Sequence, residues 1–256
     1  MNETPRTPPP SLESILDGLN PEQLDAVTHG EGPMLIVAGA GTGKTQAITR
    51  RIAHLIATKR ARPEQILALT FTEKAAAELK ERIRLRVMAR LGAAATDQLG
   101  KLFVGTIHAF CFRLLQIYVP IYETYTPLDS PQLVNLLYRE SNRLGLKQFD
   151  SQGRLFRGVA NFQRSVEVVE NELLDITQLP PGPFRDTLAA YYEVLDGYHF
   201  MSFGMQIVRT VEALGDAEVH AAVTEDVKHL IVDEYQDVNP AQERLIELLA
   251  KPRGKA

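Results

Sequence analysis

Apolar residues along this chain change their spacing repeatedly, and each change predicts an element. MLIV at 34–37, ILALTF at 66–71, LFVGT at 102–106 and LIV at 230–232 are short, nearly unbroken apolar runs. Runs of this length read as strands buried on both faces. Elsewhere the spacing lengthens to three and four. Ile48, Ile52, Leu55 and Ile56 fall on one face of a helix predicted from Gly43 to about Ala57. Residues 74–90 are rich in Ala, Leu, Glu, Lys and Arg, which predicts a second long helix, and 109–118 predicts a third. Asn20-Pro21-Glu22 opens an earlier helix, with Asn20 as cap and proline in the first turn.

Strands alternating with helices through residue 118 predict a parallel sheet covered by helices. The pattern from 119 to 226 is mostly helical. Asp129-Ser130-Pro131 starts a helix and Gly145 is positioned to stop it. Pro180 to Pro183 breaks the chain again, and helices are predicted over 184–195 and 202–214. The expected fold is therefore α/β, with a parallel sheet flanked by helices and an inserted all-helical subdomain. The expected divisions are a disordered tail over 1–12, a discontinuous α/β lobe of 13–118 and 227–256, and a helical insertion over 119–226. The tail follows from four prolines within the first ten residues.

Composition narrows the class without deciding it. Of 256 residues, 45% are hydrophobic and 23% charged, as in ordinary globular proteins. No apolar run approaches the ~18 residues that span a bilayer, and no signal-like segment opens the chain. The one cysteine, Cys111, makes no internal disulfide. A cytoplasmic location without a membrane is the expectation. The net charge of −4 is unevenly spread: residues 50–113 hold 13 Lys/Arg against 5 Asp/Glu, a net of +8, which leaves −12 for the rest. That asymmetry directs the search for a polyanion site to the first half.

The strongest chemical signal is AGAGTGKT, residues 38–45, placed between a predicted strand and a predicted helix. Glycines let backbone N–H groups turn toward phosphate oxygens, and a helix N-terminus adds positive potential. Ala38, Gly39, Ala40, Gly41, Thr42 and Gly43 would form this cradle, with Gln46 just beyond it. Lys44 would reach the β and γ phosphates, and the Thr45 hydroxyl would bind Mg²⁺. The run LIVDE supplies the complement. Asp233, at a strand end, would hold Mg²⁺, and Glu234 would orient or deprotonate the attacking water. Lys44, Asp233 and Glu234 are thus the candidate catalytic set, and ATP and Mg²⁺ the expected cofactors.

Further stretches extend these features in order. LNPEQLDAV (19–27), LALTFTEKAAAELKERI (67–83), VGTIHAFCFRLL (104–115) and LIVDEYQDVNPAQ (230–242), together with AGAGTGKT, resemble motifs of the UvrD/Rep/PcrA family of superfamily 1 DNA helicases. Two parts of the helical middle, PLDSPQLVNLL (127–137) and FGMQIVRTVEAL (203–214), are also similar to that family. The resemblance implies the first RecA-like lobe, of P-loop NTPase type, of a 3′-to-5′ helicase. It implies that Gln23 reads adenine, and that Phe71, Thr72, Lys74, Thr106 and His108 meet single-stranded DNA. A ring at Phe71 could stack on a base of any sequence, for ~1–3 kcal/mol.

Some positions depart from the family pattern. Gln46 stands where arginine is frequent, Glu73 where asparagine is frequent, and Ser202 where aspartate is usual. The family's motif III and second RecA-like lobe are not in this sequence. Weak ATP binding and no unwinding by this polypeptide alone are expected, with the second lobe as the missing partner and junctions of duplex and single strand as substrates. The alternatives are the motor of a RecB/AddA-type helicase-nuclease, and a non-hydrolysing module that binds ATP and DNA.

Overall fold

A computed structural model of the protein describes residues 13–39, 41–91 and 99–250. The expected N-terminal tail and Ala40 of the glycine-rich loop lie outside the described residues. In chain order the elements are α1 (Glu13–Leu16), α2 (Pro21–Thr28), α3 (Lys44–Ala57), β1 (Ile66–Thr70), α4 (Glu73–Leu91), β2 (Phe103–Thr106), α5 (Ile107–Tyr118), β3 (Thr126–Pro127), α6 (Ser130–Arg139), α7 (Leu155–Asn171), α8 (Pro183–Gly197), β4 (Phe200–Met201), α9 (Phe203–Ala213), α10 (Ala217–Asp226), β5 (His229–Val232) and α11 (Pro240–Ala250). The fold is helix-rich α/β with a small parallel sheet, as the residue pattern predicts. Among the described residues no helix is long and apolar enough to cross a membrane.

Two compact units make up the chain. One takes in the described residues up to Thr106 together with Glu225–Glu234; the other takes in Ile107–Thr224 and the described residues from Tyr235 onward. In the first unit the strand order is β2-β1-β5 and both pairings are parallel. Central β1 is buried along its whole length. Ile48, Ile52 and Leu55 of α3 and Leu79, Ile83 and Val87 of α4 close over Ile66 and Ala68 of β1. Because all three strands run the same way, their carboxyl ends line one edge. That edge is where open α/β sheets bind ligands.

Two arginines tie the early helices to α3. Arg51 donates to the carbonyls of Ala26 at 3.2 Å and His29 at 3.0 Å, where α2 runs out of its own donors. Arg50, buried, donates to the carbonyls of Ile15 in the last turn of α1 and of Asp17 just after it. These cations are engaged in holding helix ends. They therefore contribute less to a polyanion surface than the charge count over 50–113 suggests.

One predicted strand is absent. Residues 33–39 carry no strand, and Leu35 and Val37 are 74% and 89% exposed. An unbroken apolar run signals a preference for burial but names no partner, and a strand exists only where a neighbour completes its ladder. Here β5 pairs with β1 alone among the described residues and is only half-buried. A second expectation is revised in the helical region. α6 ends at Arg139, six residues before Gly145: the Glu140 N–H still donates to the Leu136 carbonyl at 2.9 Å, and the chain then tightens into a turn in which the Ser141 N–H reaches the Tyr138 carbonyl at 3.3 Å. Gly145, at φ 60°, opens a following 3-10 turn instead.

In the second unit Phe162, Leu188, Tyr191 and Leu195 form the centre of one core built from α5 to α9. Buried Cys111 on α5 lies behind Thr210 of α9, whose hydroxyl reaches its carbonyl at 3.4 Å. Burial pushes the Cys111 thiol up to about 12. Strands β3 and β4 pair in parallel, with two residues each.

Candidate nucleotide site and the strand ends beside it

The site begins at the N-terminus of α3. Gly43 occupies the cap position at φ 94° and Gly41 precedes it at φ 78°, both in the region that favours glycine. Among the described residues no side chain caps this helix end, and the first backbone bond inside it runs from Ala47 N–H to the Gly43 carbonyl at 2.9 Å. A positively polarised, uncapped helix end of this kind suits an anion. The loop itself is closed by Thr42, whose hydroxyl donates to the Gly39 carbonyl at 2.7 Å.

Gln23 reaches this loop from α2. Its backbone N–H donates to Asn20 Oδ1 at 2.8 Å and its Oε1 accepts from the Asn20 N–H at 3.3 Å, a reciprocal cap. Its Nε2 donates to the Thr42 carbonyl at 3.1 Å. A Cβ on residue 43 would meet Nε2 at 2.7 Å, so a side chain there would push the Gln23 amide aside, while the positive φ is what favours glycine.

Opposite the helix end stands the carboxyl end of β5. The Asp233 N–H donates to the Leu69 carbonyl at 2.9 Å and extends the sheet by one rung. Asp233 Oδ1 accepts from the Glu234 N–H at 3.0 Å. Glu234 adopts φ 53°, an uncommon conformation for a residue with a Cβ. Lys44 Nζ lies 2.7 Å from Glu234 Oε2 and 3.5 Å from Asp233 Oδ1. The hydrogen bond to Glu234 raises the Lys44 pKa above its ordinary value, against the opposing effect of burial. The structure thus brings together the three residues read from sequence as catalytic.

The donor set fits Mg²⁺ held largely by phosphate. Among the described residues no three His, Cys, Asp or Glu side chains converge on one metal position. Mg²⁺ is commonly bound by one or two protein oxygens, with water and phosphate completing the shell. Asp233, with 13% of its side chain exposed, stands beside the Lys44 ammonium at the open helix end.

The other strand ends carry the residues read as DNA contacts. Phe71, half-buried, follows β1 directly. Thr72 accepts from the Ala75 N–H at 3.1 Å through its hydroxyl and so caps α4, while Lys74 is exposed on the first turn. Thr106 ends β2 in register with Thr70, is 6% exposed, and donates to Glu73 Oε1 at 2.9 Å. In the second unit His108 lies on α5 with its ring 5.0 Å from that of Phe203. Charge is also partly neutralised along α4, where Arg84 pairs with Glu81 at 2.8 Å and Arg82 with Glu78 at 3.7 Å.

One functional-looking group escaped the sequence pattern. Glu170 of α7 is 4% exposed and accepts from Ser202 at 3.3 Å and from the Tyr192 hydroxyl at 3.4 Å. Desolvation raises its carboxyl to about 7. Its signal was available: it lies one turn beyond Val166, on the apolar stripe of α7.

The chain is similar to known proteins over most of its length. The family described as the UvrD/REP helicase N-terminal domain matches residues 19–255. The chain is 33% identical over 252 residues to the ATP-dependent DNA helicase PcrA of Leuconostoc citreum, covering 94% of this chain and 32% of that protein. It is 35% identical over 259 aligned residues to the ATP-dependent DNA helicase UvrD1 of Mycobacterium bovis, covering 94% and 31%. For PcrA of Staphylococcus aureus the identity is 31% over 247 residues, covering 93% and 32%. The chain spans about a third of the length of these curated relatives.

Proposed function

The chain belongs to the UvrD/REP helicase N-terminal domain family, and from that premise we propose that it is the ATP-binding half of a 3′-to-5′ DNA helicase. It takes Mg-ATP and single-stranded DNA, and acts at junctions of duplex and single strand with a second RecA-like lobe. The observation that carries the reading is the contact of Lys44 with both Asp233 and Glu234, at 3.5 and 2.7 Å. It joins the helix end that attracts phosphate to the strand end that attracts a cation.

The roles follow from donor chemistry. Backbone N–H groups of 38–46 and the α3 terminus hold the phosphates, and Gln23 reads adenine. Lys44 is ionised and its partners are partly exposed, so the ion pairs are worth no more than ~1 kcal/mol. A triphosphate with several negative oxygens therefore outcompetes them for the ammonium. With Lys44 drawn to the triphosphate, Glu234 would accept a proton from the attacking water. Thr45 and Asp233 would hold Mg²⁺, which when bound supplies positive charge at the phosphate oxygens. Phe71, Thr72, Lys74 and Thr106 face single-stranded DNA in the first unit, and His108 does so in the second. The proposal includes the division into an α/β lobe of 13–118 and 227–256 with a helical insertion over 119–226, and a cytoplasmic setting.

Titration of the chain with a fluorescent ATP analogue and Mg²⁺ tests this. Binding is expected in the native sequence and loss of at least tenfold in affinity in Lys44→Ala, the scale of one charge-assisted contact. Undiminished binding by that variant would overturn the assignment.

A further inference from the structure

The hydroxyl that ends β2 is already committed inside the chain. Thr106 Oγ1 donates to Glu73 Oε1 at 2.9 Å. Glu73 is exposed and is the first residue of α4, where the helix end favours a negative charge. Thr106 itself is almost wholly buried, so its hydroxyl has few positions open to it. A hydroxyl owns one proton and donates it to one acceptor at a time. A DNA phosphate offers only acceptors and carries the same sign as Glu73. Carboxylate and phosphate therefore compete for one proton and also repel each other.

We propose that Glu73 is an affinity-setting residue for single-stranded DNA: it occupies the Thr106 hydroxyl and holds a negative charge at the strand ends, so that backbone phosphate binds weakly and with a blunted salt dependence. The inference rests on the DNA reading given above. Glu73→Gln keeps an acceptor oxygen for Thr106 while removing the charge. Glu73→Asn removes the charge and shortens the reach. Thr72, which caps α4, is untouched in both, so the helix start keeps its hydroxyl cap.

The test is fluorescence anisotropy of a labelled oligothymidylate with the full chain, at low and at near-physiological salt. Glu73→Gln and Glu73→Asn are expected to bind about three- to tenfold more tightly at low salt, with the gain shrinking as salt screens the charge. Glu78→Gln, which removes an acid paired with Arg82 on the same helix, is expected to stay within about twofold of the native chain. In a Thr106→Val background the gain from Glu73→Gln is expected to be smaller, because the shared proton is gone. Native binding with no gain in either Glu73 variant overturns this inference and leaves the DNA reading standing. An equal gain in Glu78→Gln also overturns it, since the effect would then be net charge alone. If neither the native chain nor Glu73→Gln binds, both the inference and the DNA reading fail.

Discussion

Gln23 Nε2 donates to the Thr42 carbonyl at 3.1 Å, so one side chain links the start of α2 to the glycine-rich loop before α3. The same amide completes the cap with Asn20. Gln23 is thus fixed by the helix it begins and in turn fixes the loop. Gln23→Ala removes both bonds. A net hydrogen bond is worth about 0.5–1.5 kcal/mol, so nucleotide affinity is expected to fall by roughly two- to tenfold. Calorimetric titration of the variant with Mg-ATP measures it, and unchanged affinity would remove Gln23 from the site.

Glu234 and Lys44 separate binding from turnover. Glu234→Gln keeps an oxygen for Lys44 but has no basicity, so nucleotide is expected to bind at near-native affinity while any ATP hydrolysis falls by about 10²-fold or more. The Lys44 pKa is raised, so its charge and the ion-pair stability are present below the ordinary lysine value. They are lost only as pH rises through the higher folded value. Binding titrations across about pH 6.5 to 9 are expected to show no loss of affinity from Lys44. A midpoint near neutrality would contradict the paired ammonium.

Glu170 predicts the opposite kind of pH dependence for stability. Its carboxyl is raised from 4.5 to about 7 by burial, so between those values the folded state holds a proton that the unfolded chain has released. Its contribution to stability is full below about 4.5 and is lost as pH rises through 7. Glu170→Gln cannot ionise and still accepts from Ser202 and Tyr192. Urea unfolding is expected to show it more stable than the native chain at alkaline pH, by roughly 3–4 kcal/mol at most on the order-of-magnitude scale of about 1.4 kcal/mol per pKa unit. Near pH 4.5 the two should match.

Gly158 tests the packing of α7. A Cβ there would collide with the carbonyl oxygen of Leu146, a backbone atom that cannot rotate away. Gly158→Ala is expected to lose about 1–3 kcal/mol despite alanine's better helix propensity. Thermal unfolding checks the sign: a gain in stability would show that the turn at Leu146–Phe149 yields easily.

Much of the site was legible because its parts are local. Lys44 and Thr45 had to open a helix after glycines, since only glycine adopts the loop's conformation freely and only a helix start leaves N–H groups unpaired. Asp233 and Glu234 followed an apolar run that forms a strand. The helix starts read at Asn20 and at Asp129 both formed, each closed by a reciprocal side-chain cap. Sequence spacing failed where a partner far along the chain decides the outcome. MLIV has the composition of a strand, yet a ladder needs a neighbour and this run has none among the described residues. Arg50 and Arg51 counted as surface charge until their helix-end carbonyls were visible.

The sequence by itself determined which residues can cradle phosphate, carry a proton or stack on a base, because those capacities belong to single side chains and their nearest neighbours. Tertiary structure decided which capacities are engaged. Lys44 lies against Glu234, Gln23 against the Thr42 carbonyl and Thr106 against Glu73, across separations of 190, 19 and 33 residues. The physical reason is that a hydrogen bond or ion pair acts over a few ångströms, while the packing of helices and the parallel sheet sets which distant segments come that close.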